Sequence, residues 1–171
     1  MNQQPAIIEY PEFYHKYISQ VRHTDILAAL SSQLNTTLDL LNVVPDDKWE
    51  FSYAPNKWTL KVSWIHVIDT ERVFAYRALR IGRGDSTPLA SFDQNLFVAN
   101  LDATHRTPTS ILEEYQAVRA ATIHLFKHFG NEELLRMGTL AAGVASTRAI
   151  GFMIAGHELH HLQLTKEKYL S

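Results

Sequence analysis

Apolar residues recur at three- and four-residue intervals along four long stretches of this chain, and proline, glycine and polar clusters interrupt them. Ile26, Leu27, Leu30, Leu34, Leu38 and Leu41 make the first line, which predicts a helix over about 20–43, with Thr24-Asp25 ahead of it. Val43-Val44-Pro45-Asp46 ends it. A second helix is predicted over about 59–82, with Thr59 as N-cap. Its apolar face takes in Trp64, Ile65, Ile68, Phe74, Ala75, Ala78 and Leu79, and Gly82-Arg83-Gly84-Asp85 stops it. A third helix, about 109–129, starts at Thr107 or Thr109 and turns Leu112, Tyr115, Val118, Thr122, Leu125, Phe126 and Phe129 inward. The last helix spans about 146–168, with Ser146 as its cap.

The connections have characters of their own. Residues 1–18 carry Pro5, Pro11 and the aromatic run Tyr10, Phe13, Tyr14 and Tyr17, which reads as an arm packed on the body with a helical turn after Pro11. Residues 44–58 carry Trp49, Phe51, Tyr53 and Trp58, suited to capping the core or lining a pocket mouth. Residues 83–108 are long for a connection, with a short helix expected at Gln94–Asn100; long loops in compact domains tend to be functional. A short amphipathic piece, Glu132–Arg136, precedes the last helix. No strand pattern of useful length appears. The expected architecture is all-α: a four-helix bundle in one domain over 1–171, with two long crossovers that suit an order other than up-down-up-down.

Composition narrows the function classes. Hydrophobic residues make up 46% and charged residues 20%, as in an ordinary folded protein. The formal charge of −2 provides no footprint for nucleic acid. No apolar run reaches the roughly 20 residues of a membrane span. Met1–Pro5 lacks the basic and apolar regions of a signal peptide, so a cytoplasmic protein is expected. There are no cysteines, which removes disulfides, thiolate ligands and a cysteine nucleophile. Any thiol chemistry would use an external thiol.

There are nine histidines, and their placement matters more than their number. His157 and His161 stand four apart on one stripe with Ile150, Met153 and Leu164, so a helix aims both imidazoles inward, one turn apart. Two such rings can share a metal ion. His160, at i+3 from His157, is an alternative to His161. The string His157-Glu158-Leu159-His160-His161 also matches the H-E-x-x-H of zinc peptidases, in which the glutamate is the general base. Only ten residues follow His161 and they offer only Glu167, on the same helix, so a third ligand is expected upstream. Among His15, His23, His66, His105, His124 and His128, His66 stands out, at mid-helix on a line facing the bundle interior. His124 and His128 form a second i,i+4 pair, at a helix end next to Lys127 that reads as solvated. Asp69, one turn from His66, and Glu158 are candidates to orient the ligand rings or take part in catalysis; Asp69 has an ion pair with Arg72 or Arg77 as its equal alternative, and Glu158 has a solvated position as its own. Arg77 and Arg148 are candidates to hold an anionic substrate, and each has structural pairing as its plain alternative.

Two histidine segments carry a resemblance. Trp64-Ile65-His66-Val67-Ile68-Asp69-Thr70-Glu71-Arg72-Val73-Phe74-Ala75-Tyr76-Arg77-Ala78-Leu79, then Arg83-Gly84-Asp85, then Gly156-His157-Glu158-Leu159-His160-His161 resemble the DinB-like (YfiT-like) metalloenzyme family. The resemblance covers most of the chain. It implies an up-down-down-up four-helix bundle with a metal held by one histidine of the second helix and two of the last: His66, His157 and His161. It implies one divalent ion, zinc or nickel, with iron or copper also accepted by three imidazoles. It implies a homodimer acting on a small molecule. The best-understood branches of the family are S-transferases using bacillithiol, mycothiol or glutathione, so transfer of a low-molecular-weight thiol to an electrophile is the expected activity. Hydrolase or isomerase chemistry, or a metal-stabilised stress or binding module without turnover, is the alternative.

Overall fold

A computed structural model describes residues 4–22 and 25–171; His23 and Thr24 lie outside the described residues. The N-terminal arm makes single turns at Ile7–Glu9 and Glu12–Tyr14 and a short helix α1 (His15–Ile18). The bundle consists of α2 (Ile26–Leu41), α4 (Leu60–Gly82), α6 (Pro108–Lys127) and α8 (Thr147–Leu164). Short helices α3 (Asp46–Trp49), α5 (Gln94–Ala99) and α7 (Asn131–Leu135) interrupt the connections.

Side-chain caps set the helix starts. Asp25 accepts the Ala28 N–H at 2.9 Å from an extended backbone, so α2 begins there and not near 20. Thr59 accepts the Val62 N–H, and Ser146 accepts the Ala149 N–H at 3.0 Å. Thr107 and Ser110 cap α6 reciprocally around Pro108. The last helix does not stay regular to 168: it passes into a π-helical turn over Thr165–Tyr169.

Contacts fix the order of the helices. Trp64, near the start of α4, donates to Thr165 beyond the end of α8, so these two helices are antiparallel. Trp64 packs on Tyr115 near the two starts, and the Phe129 ring lies against Gly82 near the two ends, so α4 and α6 run the same way. Gln33 reaches Ala155 and Thr37 reaches Glu158, so α2 and α8 are parallel. The order is up-down-down-up, and the two histidine-bearing helices each pack on one antiparallel and one parallel neighbour: α8 and α6 for α4, α4 and α2 for α8.

One element departs from the all-helical expectation. Met137–Leu140 (β1) and Gly143–Ser146 (β2) pair antiparallel, from Met137↔Ser146 to Leu140↔Gly143. Four-residue strands with only Leu140, Ala145 and Ser146 buried leave too short an alternation to register as a strand pattern. The turn depends on Gly143 at φ 130°, a conformation open to glycine. Leu79, expected to face inward, is 39% exposed, because α4 turns Ile81 and Ala78 to the core instead.

The apolar core is in two blocks. One gathers Ile26, Leu30, Phe74, Phe126 and Phe152; the other gathers Trp49, Leu60, Trp64, Tyr115 and Leu162. All four bundle helices contribute buried polar residues at the level between them: Gln33 and Thr37, then His66, Thr70 and Glu71, then Arg119 and Thr122, then Glu158 and His161. Arg119 is fully buried at the centre of this layer. Its Nε and Nη2 donate to the two oxygens of Glu71 at 2.9 and 2.7 Å, a bidentate pair. Its Nη1 donates to Leu30 O at 3.3 Å and stands 2.6 Å from Glu158 Oε2, a charge contact outside hydrogen-bond alignment. Thr37 and Tyr115 donate to the other Glu158 oxygen. Burial works against the Arg119 charge, but the two carboxylates outweigh it and hold its pKa above the ordinary value.

The arm is tied down by charge as well as by Tyr10 and Ile18. Glu9 accepts from Ser146 at 2.8 Å and from Arg148 Nε at 2.7 Å. Burial raises the Glu9 carboxyl, but the bonds from Arg148, the Ala6 N–H and Ser146 outweigh it, so its folded pKa lies below the ordinary 4.5. Arg148 therefore has its anion within the chain.

Two outcomes follow for stability. Arg119→Leu strands two buried carboxylates and should cost about 3–5 kcal/mol, lowering the midpoint by roughly 10 °C in thermal and urea unfolding. The Glu9 contribution is complete above its ordinary pKa and is lost as pH falls through the depressed folded value. Glu9→Gln should therefore melt roughly 2 °C below the parent at neutral pH, and the two melting curves should converge in acid. A difference that persists in acid would show that the carboxylate charge is not the source.

Candidate metal centre

Three histidines meet where α4 crosses α8, at the edge of the polar layer. His157 and His161 present their rings from successive turns of α8, with centroids 4.7 Å apart. His66 comes from α4, at 5.1 and 5.2 Å from the same two rings. One ring nitrogen of each lies within 4.8 Å of the others. His66 Nε2 and His157 Nε2 face each other at 3.2 Å. Two nitrogens held by one ion at ~2.1 Å each are roughly 3.0–3.4 Å apart, so this spacing already suits a shared ion.

The rings are held from behind. Ser63 Oγ lies 3.0 Å from His161 Nδ1, and Thr70 Oγ1 lies 3.4 Å from His66 Nδ1. With each Nδ1–H donating to its hydroxyl, the Nε2 lone pairs are the ones left to face inward. Trp58 packs on His66 at 4.9 Å and Tyr17 on His157 at 5.7 Å. Tyr17 gets this close because Gly156 has no side chain: a Cβ there would meet the Tyr17 carbonyl oxygen at 2.2 Å.

All three rings are kept neutral. Burial lowers His66 to about 4. Burial, with the His66 and His160 rings adding to it, lowers His157 to about 3, and the same causes push His161 well down. Neutral imidazole is the form that binds metal. Three such donors fit a divalent ion of the zinc, nickel, iron or copper group.

The cluster opens on a cavity of about 320 Å³. Its other walls come from the connections and the arm: Tyr53 and Trp58 from 44–58, Gln94 from 83–107, and Tyr17. The aromatic connection and the long crossover thus line the mouth.

The remaining candidates go elsewhere. His160 is exposed, lies against Tyr17 and stands outside the three-ring cluster. Asp69 does not reach His66; it pairs with Arg72 at 3.6 Å, and the group behind His66 is Thr70. Glu158 is neither solvated nor in the cavity. It is 1% exposed on the opposite side of α8, bound to Thr37, Tyr115 and Arg119. His15 bonds Tyr10, His105 is exposed, and His124 and His128 stack on each other in solvent. Glu167 is taken by Gln163. Arg77 is buried beside the centre, with its Nη2 donating to Ala90 O at 2.7 Å.

Sequence reasoning missed Ser63, Thr70 and the Glu71–Arg119–Glu158 group. A signal for the last was present. Glu71 falls three residues from both Ile68 and Phe74, and Arg119 falls between Tyr115 and Thr122, so charges stand inside two apolar stripes.

Comparison with known proteins agrees with this architecture. The fold is similar to that of YfiT from Bacillus subtilis, described as a probable metal-dependent hydrolase with an unusual four-helix bundle topology. The two share 16% identity with a TM-score of 0.64, over 95% of this chain and 91% of the other. No curated protein matches the sequence. No helix among the described residues is long and apolar enough to cross a membrane. The model of the DinB superfamily matches residues 29–164, which span all four bundle helices but for the start of α2 and include every histidine of the cluster, and the chain belongs to that superfamily.

Proposed function

We propose that this protein is a metal-dependent hydrolase acting on a small molecule, with one divalent ion held by His66, His157 and His161. The observation that carries the reading is the convergence of three neutral, pre-oriented imidazoles at the wall of an open cavity. Three neutral ligands leave such an ion its full charge, with which it acidifies water and polarises a carbonyl or phosphoryl oxygen. The residues of the chain supply the rest. Ser63 and Thr70 fix the ring orientations, Trp58 and Tyr17 shield the two sides, and Tyr53, Gln94 and His160 present polar groups to substrate at the mouth. The likeness to YfiT, itself described as a probable metal-dependent hydrolase, supports hydrolysis over the other chemistries.

Transfer of an external thiol, the activity that the best-understood branches of the family suggest, would use the same histidines and the same mouth. The lack of cysteine is its support in this chain. A metal-stabilised module without turnover is disfavoured by a cluster that faces a cavity and not a sealed fourth ligand. The homodimer and the cytoplasmic location remain part of the proposal. An apolar groove between α4 and α6, with Tyr76 and Leu79 exposed, supplies a face for the dimer.

Protein purified without a histidine tag should contain close to one zinc or nickel per chain by elemental analysis. His66→Ala and His157→Ala should each bring that below about a tenth while the circular dichroism stays helical. Metal retained by both variants would sink the assignment. Ester, amide and phosphoester panels, run with and without bacillithiol, mycothiol or glutathione, then choose the chemistry. Metal-dependent turnover without thiol is expected, and turnover only with thiol would overturn hydrolysis in favour of transfer.

A further inference from the structure

A second cavity, of about 600 Å³, lies on the other side of His157 and shares Tyr17, Gln94 and His157 with the first as a common wall. Its character is different. Phe13, Tyr14, Phe74 and Phe92 make its sides, and Arg77 stands among them. The Arg77 guanidinium carbon is 5.7 Å from the Phe74 ring centroid and 5.5 Å from that of Phe92. Phe74 in turn packs on His157 at 6.5 Å, so the guanidinium is one ring away from the metal centre.

Arg77 is only 6% exposed. The other buried arginine, Arg119, is neutralised by two carboxylates. Arg77 has a carbonyl, Ala90 O, and the Tyr14 hydroxyl as its partners, and among the described residues no carboxylate pairs with it. The acid that lines the cavity, Asp93, is engaged at the N-terminus of α5, where its Oδ1 accepts the Asn95 N–H at 2.8 Å. Lys16 adds a second positive charge at the rim, held over the Phe13 ring at 4.5 Å. A buried guanidinium costs a protein heavily unless an anion meets it, and its planar fork matches a carboxylate. Ring stacking recovers part of that cost.

We propose that this second cavity is the substrate's anchoring subsite: it takes a carboxylate at Arg77 and an alkyl or aromatic body between the phenylalanine rings, which brings the adjoining part of the molecule to the His157 wall. The substrate class is then a small apolar molecule bearing one carboxylate. The assignment of the reacting end rests on the histidine cluster being the reaction centre; the carboxylate subsite does not.

The test is calorimetric binding of 4-phenylbutyrate and 4-phenylbutanol to the zinc-loaded protein. The acid should bind at least tenfold more tightly than the alcohol, and parity would overturn the subsite. In Arg77→Gln the preference should fall to within about twofold; a preference left intact there would place the anion elsewhere and overturn it. If Arg77→Gln does not fold, Arg77→Lys decides: the charge remains and the fork is lost, so acid binding should weaken threefold or more with alcohol binding unchanged. Acid affinity unaffected by that change overturns the subsite. His66→Ala separates the two readings. Preference retained in that variant supports the Arg77 subsite whether or not hydrolysis is found, and preference lost in it but insensitive to Arg77 assigns the anion to the ion and leaves only the hydrolase reading standing.

Discussion

Arg119 holds the bundle together at its least forgiving point. It is completely enclosed, and it has carboxylates on two different helices and a backbone carbonyl on a third. A group like this adds little net stability over a well-packed apolar alternative, because each ion gives up its hydration to enter the core. What it contributes is register. Apolar side chains tolerate a helix sliding by part of a turn; a bidentate guanidinium pair does not. Glu71 is next to Thr70, which backs His66, and Glu158 is next to His157. Fixing those two carboxylates on one guanidinium therefore fixes the heights of α4 and α8 relative to each other, and with them the distance between His66 and His157.

The polar layer explains why a four-helix bundle can keep three histidines neutral and poised at its middle. The apolar blocks above and below exclude water, which depresses all three imidazoles. The same exclusion would leave the Nδ1 atoms of His161 and His66 unsatisfied without Ser63 and Thr70. Each hydroxyl sits close to its histidine for a helical reason: Thr70 is one turn from His66 on α4, and Ser63 faces His161 across the α4–α8 contact. The layer is thus a single polar system with two ends, one ionic and structural, the other imidazole and open to the cavity.

Much of this was legible in the sequence. The four long helices, three of their caps and the short helix near Gln94 follow from periodicity and capping chemistry, because those depend on neighbours within a turn. The inward aim of His157 and His161 follows for the same reason. The β-hairpin did not register, since four-residue strands carry almost no pattern, and the start of α2 was set by Asp25 and not by the apolar line that runs up to it. Of the two readings open for Asp69, orienting a ring or pairing with an arginine, the structure shows the second, for a physical reason. A carboxylate one turn from a histidine is within reach of its ring, but Asp69 falls on the side of α4 where Arg72 competes for it, and the hydroxyl of Thr70 points at the ring. Glu158 shows the limit of linear motifs most clearly. Adjacent residues on a helix diverge by about 100°, so the glutamate beside His157 points to the far side of α8 and joins the structural end of the layer.

The two halves of the site come from different parts of the fold. The histidines and their hydroxyls are all on α4 and α8, where packing leaves no freedom. The outer walls of the two cavities come from the arm and the two long connections: Tyr17, Tyr53, Trp58, Phe92 and Gln94. Arg77 belongs to α4 but is held by Ala90, on the 83–93 connection. A change in those segments alters what the cavities admit without moving the histidines, whose positions are set by the helix register. The histidine cluster is therefore fixed by the bundle and the shape of the cavities by the segments wrapped around it. The Gly156 contact is where the two meet: the arm reaches His157 only because α8 has no side chain at that one position.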